Sequence, residues 1–389
     1  MNDASAAYEI VTDEAGFRAL QSEWDALWVR SRGWYYQSFG HCWLAWNQIA
    51  KPLGRKLRII VRREAGAAVL IFPLITFRRA LWTYLMPLSS QSADLTSILV
   101  DDNARTAALV EGAWDAARKR CRADFIQMPY VPDSTDLYRL VLKERHFAVR
   151  EHTPRYVARI SEQSQSYDWN RFCDSLGSFH RKKPGKVERR LATAGKVGID
   201  VLHWSDKSRI ATAVDAMLVW KRDWAVRAGK RGPWLDSPYY RNFLVAWLSS
   251  EDTAVRSRAS VITVDEAAVA VVLVCADARA VTGIMSSFNP AFGKWSLGLL
   301  NVELAAKWAF DLQLDFECGP GSEEYKSYWS RGNHGYCSTT VSINSSWGLA
   351  AFYVRRLLRN LAKRASTPAE DADSPRPDTA GEPENSPGV

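Results

Sequence analysis

A stretch in the C-terminal half of the sequence carries glycines and a lysine at spacings that suit the binding of a phosphate group. Residues 285–329 read MSSFNPAFGKWSLGLLNVELAAKWAFDLQLDFECGPGSEEYKSYW. A predicted strand ends at Asn289, and a loop with Gly293, Lys294 and Gly298 opens directly into a predicted helix. The first turn of a helix offers unpaired N–H groups and about half a positive charge, which suits a pyrophosphate. A plain connection between strand and helix is the alternative interpretation.

Other motifs for nucleotide binding or catalysis are absent from the sequence. It contains no GxxxxGK[ST] phosphate loop, no GxGxxG after a predicted strand, no HExxH, no GxSxG and no kinase signature. Because each of these patterns places particular groups around a reacting atom, the sequence gives no support to the common NTPase, dinucleotide-binding, zinc-protease or hydrolase classes.

The elements that must position the loop alternate between strands and helices. Residues 1–160 predict the order βααβββαβαββ, which ends in two short strands around Phe147 and Tyr156. The second half predicts the same order at larger size. Its main elements are helices at 179–194, 207–228, 237–250, 296–311 and 322–330, and strands at 198–204, 257–264, 267–275, 280–288, 314–319 and 337–343.

This repetition predicts two α/β domains followed by a tail. We place the domains at residues 1–160 and 161–365, and the tail at 366–389. The tail has six acids, one arginine, five prolines and no large apolar residue before its final valine. We expect it to be disordered, because it has nothing to bury against the entropy of ordering.

Composition and charge limit the class of protein. The 389 residues are 47% hydrophobic and 24% charged, which excludes collagenous, wholly disordered and disulfide-rich proteins. The six cysteines lie far apart without a CxxC pair, so we expect isolated thiols in a reducing cytoplasm and no metal site. The formal charge is +8, and without the tail's −5 the rest carries +13, which favours an anionic partner.

The cellular location is predicted from the apolar segments. The N-terminal residues MNDASAAYEIVTDEAGF are acidic and polar, so we expect no secretory signal there. No apolar run reaches about 18 residues, which is near the minimum for a membrane-spanning helix. We therefore expect a cytoplasmic protein, either free or peripheral at the inner face of the plasma membrane.

Several motifs, in this order, resemble a bacterial family. They are EWDAL at Glu23 to Leu27, an arginine-rich segment before Gly195, the helix start WSLGLL, and DFxxG followed by YKxxW between Asp315 and Trp329. Together they resemble the CelD-like group of the GNAT acyltransferase superfamily, which is related to the Fem peptidyltransferases with their tandem GNAT-like domains. The resemblance covers roughly residues 8–345. It implies two tandem domains, each a mixed, mostly antiparallel twisted sheet flanked by helices.

The resemblance also implies a donor site. In this superfamily acetyl-CoA or another acyl-CoA lies between the fourth and fifth strands, and its pyrophosphate rests on the next helix. Here that assigns cofactor binding to Phe288, Asn289, Gly293, Lys294, Ser296 and Gly298. The sequence departs from the superfamily loop Q/R-x-x-G-x-G/A, since only the middle glycine matches. The corresponding loop of the first half, residues 101–105, has two acids and no glycine, which implies a copy that does not bind CoA.

Catalytic roles follow from the same resemblance. Tyr325 occupies the region where superfamily members place a tyrosine that protonates the departing thiolate, and Glu317 is the candidate base. A tyrosine packed beside Trp329 and a glutamate that faces solvent are the alternatives. Cys318 is an acyl carrier only if it is activated, and a buried thiol without a basic partner is inert.

Basic and aromatic residues are candidates for binding the acceptor. The segment 181–190 has six basic residues in ten, and it is either a solvated face or a site for an anionic glycan or nucleotide-linked precursor. We assign acceptor binding to Arg181, Arg189, Arg190 and Lys326. Tryptophans and tyrosines at 220–240 form either core or a wall that stacks on sugars. The basic helix predicted at 349–365 either packs on the second domain or lies on an anionic membrane.

Three functions remain open. The first is an acyl-CoA-dependent N- or O-acyltransferase that acts on an amino sugar, a polysaccharide or a cell-envelope precursor. Within this class, we expect an acetyltransferase. The second uses aminoacyl-tRNA as the donor, as Fem proteins do, and predicts salt-dependent RNA binding. The third is a non-catalytic accessory protein of the polysaccharide-synthesis machinery. DNA binding is not expected, because the basic residues lack the context of a DNA-binding motif.

Overall fold

A computed structural model of the chain describes residues 7–103, 105–181, 183–230, 232–252, 254–350, 353, 354, 357 and 358. Residues Met1–Ser345 form one compact unit, and Ser346–Val389 form a second. Most of the predicted terminal helix and the whole predicted tail lie outside the described residues. No described helix is both long and apolar enough to span a bilayer.

In the part of the chain that the structure describes, thirteen strands join into one mixed, mostly antiparallel sheet. The mixed, mostly antiparallel type is as expected, whereas the resemblance implies one such sheet in each half. The strands are β1 (Glu9–Val11), β2 (Lys56–Glu64), β3 (Ala67–Arg79), β4 (Trp82–Pro87), β5 (Leu99–Val100), β6 (Phe125–Pro132), β7 (Phe147–Ala158), β8 (Val197–Val201), β9 (Arg256–Val264), β10 (Ala267–Ala276), β11 (Ala280–Phe288), β12 (Asp315–Pro320) and β13 (His334–Asn344). The spatial order is β1-β2-β3-β4-β6-β13-β7-β12-β11-β10-β9-β8, and β5 pairs with β3.

Helices flank this sheet. They are α1 (Glu14–Ala19), α2 (Gln21–Arg30), α3 (Phe39–Ala45), α4 (Thr106–Arg120), α5 (Asp136–Leu142), α6 (Ile160–Ser164), α7 (Trp169–Leu176), α8 (Lys186–Leu191), α9 (Lys207–Arg227), α10 (Pro238–Leu248), α11 (Leu297–Asp311) and α12 (Glu324–Ser330). Short 3-10 turns occur at Tyr35–Gln37, Pro233–Asp236 and Pro290–Trp295, and α3 runs into a π-helical turn at Trp46–Ala50.

The two halves repeat one arrangement of strands. In the first half β2, β3 and β4 are antiparallel, and β4 is parallel to β6. In the second half β8 to β11 are antiparallel, and β11 is parallel to β12. In both halves the helix that joins the two parallel strands, α4 or α11, has 15 residues.

The halves exchange one strand each. β13, near the end of the compact unit, pairs with β6 and β7, so it lies between two strands of the first half. β7 in turn pairs with β12 of the second half. Each half thus depends on a strand that the other supplies. The domain boundary at residue 160 stays a prediction, and the sheet runs across it without interruption.

One hydrophobic core also crosses the boundary. Trp24, Leu27 and Phe39 of the first half belong to the same buried cluster as Met217 and Trp247 of the second. The ring of Tyr35 stacks on Trp247 with centroids 5.8 Å apart. This shared core and the exchanged strands make residues 7–345 a single cooperative body.

Two elements differ from the sequence-based prediction. The helix predicted at 179–194 is only α8, because His180 and Arg181 have positive φ and Gly185 adopts φ +77° at the helix start. The strands predicted around Phe147 and Tyr156 are one strand, β7, whose exposed N-terminal residues give weak apolar alternation. The predicted cap at Asp13 is confirmed, since its carboxylate accepts a hydrogen bond from Gly16 N at 2.8 Å.

Candidate functional site

A slot opens between β11 and β12. These parallel strands pair only over Ala280 to Thr282 and Asp315 to Glu317. Beyond that point β11 follows β10 as far as Phe288, and β12 follows β7. A Cβ built on Gly319 would lie 3.8 Å from the carbonyl oxygen of Gly283, so the strands are still close where pairing ends. Backbone groups therefore line the slot.

The N-terminus of α11 lies just after the slot. Ser296 adopts φ +62° and turns the chain from the 3-10 turn into the helix, whose first residue, Leu297, is buried. A Cβ on Gly298 would lie 3.6 Å from Cε1 of Phe288, so that ring sits beside the first turn. The structure brings these predicted donor-site residues together.

Gly293 and Lys294 lie on the 3-10 turn that precedes α11. Gly293 is exposed, and a Cβ built on it would meet nothing within 4 Å, so the turn does not need a glycine there. The side chain of Asn289 accepts a hydrogen bond from Ala291 N and thereby caps the turn. The Lys294 ammonium lies 4.2 Å from the centroid of the Trp295 ring, at the surface. An exposed cation beside a helix N-terminus is compatible with a pyrophosphate.

The basic segment lies beside the donor helix. Val187 and Leu191 of α8 pack with Leu297 and Leu300 of α11, while Arg189 and Arg190 are exposed. Gly185 N donates a hydrogen bond to the Glu303 carboxylate of α11 at 2.6 Å. Arg189 and Arg190 therefore add positive charge beside α11, and their assignment to acceptor binding stays a prediction.

Arg181 lies at the other end of the basic segment. It is exposed, and it follows His180, whose Nε2 is 2.9 Å from the Glu324 carboxylate of α12. The segment therefore runs from α12 to α11.

Glu317 is fully buried, so the expectation that it faces an open cleft is wrong. Its carboxylate accepts a hydrogen bond from the Arg155 guanidinium at 2.8 Å, and both side chains are 1% exposed. Gly319 N donates to the same carboxylate at 3.1 Å, and the Tyr336 hydroxyl at 3.5 Å. Burial alone would lower the pKa of Arg155, but the charges of Glu317 and Tyr336 outweigh it and raise that pKa. Arg155 therefore carries its charge beside the Glu317 carboxylate.

Tyr325 is partly buried near the C-terminal end of β12. Burial raises the pKa of its hydroxyl, and the charges of Glu323 and Cys318 raise it further. The tyrosine therefore stays protonated across the physiological range and can donate a proton. Tyr325 also packs against the hydrophobic cluster that contains Trp329, as the alternative interpretation expects, so the tyrosine is both packed and partly exposed. Burial also raises the pKa of the Cys318 thiol, which leaves it inert.

Lys326 is buried in the turn that follows β12. Its ammonium donates to the carbonyl oxygens of Gly319 and Pro320 and pairs with the Glu323 carboxylate at 2.8 Å. The three N–H donors of the ammonium match these three acceptors. Partial burial alone would raise the pKa of Glu323, but Lys326 holds it below its usual range. Lys326 thus shapes the turn, and its assignment to acceptor binding stays a prediction.

Asp94 is a residue of this region that the sequence did not indicate. It lies in the loop between β4 and β5, and its backbone carbonyl accepts a hydrogen bond from Arg155 at 3.0 Å. Asp94 is reached by solvent, yet desolvation by the protein around it raises the pKa of its carboxyl. The charge of Glu317 adds to this rise, and those of Arg155 and Lys326 oppose it. No motif marks Asp94, because 222 residues lie between it and Glu317 and only the tertiary fold brings them together.

Lys221 borders the same space from α9. Its ammonium donates to the Ser286 carbonyl of β11 at 3.4 Å and lies 4.3 Å from the centroid of the Trp224 ring. Burial lowers the pKa of Lys221, whereas the charges of Glu323 and Asp94 raise it. Trp224 and Trp234 are 38% and 42% exposed, so part of the predicted aromatic wall is at the surface. Tyr240, by contrast, is buried.

The corresponding place in the first half is closed by ion pairs. Asp101 pairs with Arg30 at 2.7 Å, and Arg105, just before α4, pairs with Glu64 at 2.9 Å. That this half does not bind CoA stays a prediction.

With this geometry in place, the chain can be compared with known proteins. Residues 178–327 match the family model of the acetyltransferase (GNAT) domain. The matched range contains the slot, α11 and the first half of α12. No curated protein matches the sequence of this chain.

Solved structures share the fold over most of the chain at low sequence identity. FemX is 12% identical over 88% of this chain and 99% of its own, with a TM-score of 0.55. A tandem GNAT protein from the clavulanic acid biosynthesis pathway is 12% identical over 87% of this chain and 98% of its own, with a TM-score of 0.50. L-PGS from Bacillus licheniformis is 8% identical over 89% of this chain and 96% of its own, with a TM-score of 0.50. The predicted tandem GNAT-like fold is confirmed, and membership of the CelD-like group stays a prediction.

Proposed function

We propose that the chain is an acyl-CoA-dependent N-acyltransferase whose acceptor is an amino sugar of a polysaccharide or cell-envelope precursor. The observation that carries this proposal is the slot between β11 and β12, which ends at the N-terminus of a 15-residue helix. Because β11 and β12 stop pairing after three positions, their facing backbone edges are no longer bonded to each other, which supports a place for an extended amide chain between them. The helix N-terminus adds the positive potential that a pyrophosphate needs.

The residues around the donor helix fit a CoA ester. Gly298 presents no side chain at the first turn, where the Phe288 ring lies beside it, and Lys294, Arg189 and Arg190 are exposed cations on the turn and helix that pack next to it. In this proposal the thioester supplies the acyl group, and the chain's own residues hold it and move protons. Acetyl-CoA is the simplest donor to test.

The acyl transfer requires two proton movements. The acceptor nitrogen attacks the thioester carbonyl carbon and forms a C–N bond, the C–S bond breaks, and CoA leaves as a thiolate. Asp94 takes the proton from the nitrogen, because it is the carboxylate beside the Arg155–Glu317 pair that solvent reaches. Tyr325 gives its proton to the thiolate, and bulk water returns it. The products are an amide and CoA.

We reassign Glu317 from base to positioning residue. Its ion pair with Arg155 joins β12 to β7, and its bond from Gly319 N fixes the turn at the slot's edge. A carboxylate that already accepts these bonds in a dry site is a poor proton acceptor, since protonation would leave Arg155 buried without a counter-charge.

The surface beyond the slot suits a sugar that carries negative charge. The Trp224 ring is exposed and has the ammonium groups of Lys221 and Lys230 at 4.3 Å and 5.0 Å from its centroid. Aromatic faces stack on sugar rings, and lysines attract phosphate or carboxylate groups.

Calorimetric titration of acetyl-CoA into the protein tests the donor site. We expect micromolar binding to the wild-type chain and none to Gly298→Trp, because the indole would fill the first turn of α11. Ala107→Trp is the matched control, since Ala107 is the second residue of α4 as Gly298 is of α11, and it should bind normally. Loss of binding in Ala107→Trp alone would place the donor in the first half and overturn the proposal. Absence of binding to any acyl-CoA would leave a tRNA donor or an accessory role.

A further inference from the structure

A basic cavity lies in the first half, away from the slot. It measures about 490 Å³ and is lined by Arg55, Lys56, Arg58, Arg78 and Arg122, together with Phe77 and smaller neighbours. Its walls come from the start of β2, the end of β3, the start of β4 and the residues after α4. Small-molecule sites commonly have volumes of about 300 to 1,000 Å³. The cavity is therefore large enough for a ligand.

The lining charges are all of one sign. Five of the lining residues are arginine or lysine, and none is aspartate or glutamate. None of the five forms an ion pair with another described residue. Arg62 and Arg63, a few positions along the same strand, pair with glutamates, so the strand's other cations have partners. Like charges at this density repel each other unless an anion joins them.

Arg55 is held in place at the cavity wall. Its guanidinium lies 3.7 Å from the centroid of the Phe77 ring, and this stacking holds the plane of the guanidinium. Burial lowers the pKa of Arg55, because no carboxylate compensates the charge. Arg58 is half-buried and bonds to the carbonyl of Leu57. A fixed, partly desolvated guanidinium is the group that proteins use to bind phosphate oxygens bidentately.

The groups of opposite sign near the cavity are already engaged. The Asp124 carboxylate accepts a hydrogen bond from Thr83 N at 2.8 Å. The C-terminal end of α4 carries about half a negative charge, and the basic residues Arg118, Lys119 and Arg120 occupy its last turn. Neither feature cancels five cations.

We infer that this cavity binds a phosphate-bearing anion, either a free diphosphate or the phosphate headgroup of a lipid. The site is separate from the donor slot and does not depend on the proposed acyl transfer. The cavity lies at the C-terminal end of α4. The first half's counterpart of the proposed pyrophosphate site is at the N-terminal end of the same helix. A 15-residue helix separates the two by about 22 Å.

Titration of pyrophosphate into the full chain tests the site, with Lys56→Gln/Arg78→Gln as the cavity variant. Both residues are exposed, so their replacement should not disturb folding. In the cavity variant we expect one of two changes relative to wild type. Either the Kd for pyrophosphate rises at least tenfold, or the protein no longer binds anionic phosphatidylglycerol vesicles better than neutral phosphatidylcholine vesicles. The first result identifies a soluble anion and the second a lipid headgroup. Arg139→Gln/Lys143→Gln removes the same charge elsewhere on the first half and should change neither.

The donor helix could also take pyrophosphate, so Gly298→Trp separates the two sites. Binding that survives in Gly298→Trp and falls in the cavity variant supports the inference, whether or not acetyl-CoA binds. Binding that is lost in Gly298→Trp and kept in the cavity variant overturns it. Equal loss in the cavity variant and the Arg139→Gln/Lys143→Gln control also overturns it, since that reports net charge alone. Absence of binding to pyrophosphate and to both vesicles overturns it as well.

Discussion

Carboxylates near the donor region differ in what surrounds them. Asp94 is reached by solvent, Glu317 is buried beside Arg155, and Glu303 is partly buried on α11 with a bond from Gly185 N. A group that exchanges protons needs access to water or substrate, whereas a group in a dry ion pair stays ionised. The surroundings of each side chain therefore separate a catalytic role from a structural one.

Replacing Asp94 tests its role as proton acceptor. In Asp94→Asn we expect kcat for transfer from acetyl-CoA to an amino-sugar phosphate to fall by about 10²-fold or more. The wild-type rate should rise with pH through the raised pKa of Asp94, since the ionised form is the active base, and Asp94→Asn should lack that limb. A pH–rate profile checks both points. Loss of the limb in Glu317→Gln, with Asp94→Asn unaffected, would return the base to Glu317.

Replacing Arg155 tests the buried pair. Arg155→Met should lower the free energy of unfolding by about 3 to 5 kcal/mol, because Glu317 is left buried without its counter-charge. Arg159→Met is the control: Arg159 pairs with Asp315 at 2.8 Å but is 55% exposed, so we expect a loss of about 1 kcal/mol or less. Urea denaturation of both variants checks the difference, and equal losses would contradict it.

Replacing Glu303 tests a pH dependence of stability. Burial raises the pKa of Glu303 to about 7, well above its ordinary value of 4.5. Its contribution to the free energy of unfolding is thus fully present below pH 4.5 and is lost as the pH rises toward 7. Over that range the folded protein must hold a proton that the unfolded chain has released. The free energy of unfolding of Glu303→Gln, relative to that of wild type, should therefore rise by on the order of 2 kcal/mol between pH 5 and pH 8.

Urea unfolding of Glu303→Gln and wild type at the two pH values measures this gain. The exposed Glu111→Gln should show no such trend. A difference between Glu303→Gln and wild type that is the same at both pH values would count against the buried carboxyl.

At the scale of elements, the end of β12 requires a glycine, whereas the turn before α11 does not. Gly319, at the end of β12, has φ +79°, which favours glycine, and it faces the carbonyl of Gly283. Gly293, on the turn before α11, has no positive φ and open space around it. The strand end is therefore constrained by backbone geometry, whereas the turn is free to vary.

The pair of variants Gly319→Ala and Gly293→Ala tests this contrast. Gly319→Ala should cost about 1 to 2 kcal/mol, because a Cβ is disfavoured in the left-handed region. Gly293→Ala should be neutral or stabilise by up to about 1 kcal/mol, through reduced entropy of the unfolded chain. Thermal or urea unfolding measures both, and a larger loss in Gly293→Ala would show that the turn is strained.

At the scale of the whole molecule, the strand exchange ties the halves together. β13 lies between β6 and β7, and β7 lies between β13 and β12. Removing either half leaves unpaired strand edges in the middle of the remaining sheet, and it also exposes the core that Trp24 and Trp247 share. The chain from residue 7 to 345 should thus unfold as one unit.

Expression of residues 1–160 alone tests this expectation. We expect no cooperative urea transition, because β6 and β7 lose β13 from between them. Full-length protein cleaved at a protease site inserted after Ser164 is the control, and it should keep its cooperative transition. A cooperative transition in the isolated fragment, followed by circular dichroism, would show that the halves fold independently.

The sequence alone determined most of the elements and their order, with α8 and β7 as exceptions. Alternation of apolar residues marks β2, β3 and β9 to β11, since one or both faces of each strand are buried, and the helical spacing marks α9 and α11. The glycine-containing loop before α11 and the tandem GNAT-like fold were predicted from these local patterns and from the resemblance. Such features depend on neighbours in the chain, which a sequence displays.

Only the tertiary structure decided which side chains meet. Arg155 pairs with Glu317, Asp94 lies beside them, and Arg55 and Arg122 line one cavity, all across long separations in the chain. The exchange of β7 and β13 also has no local signal, because a strand's pattern of burial shows which face is covered but not which strand lies next to it. Burial of a charge depends on everything packed around it. The fate of Glu317, Lys326 and Asp94 therefore required the folded chain.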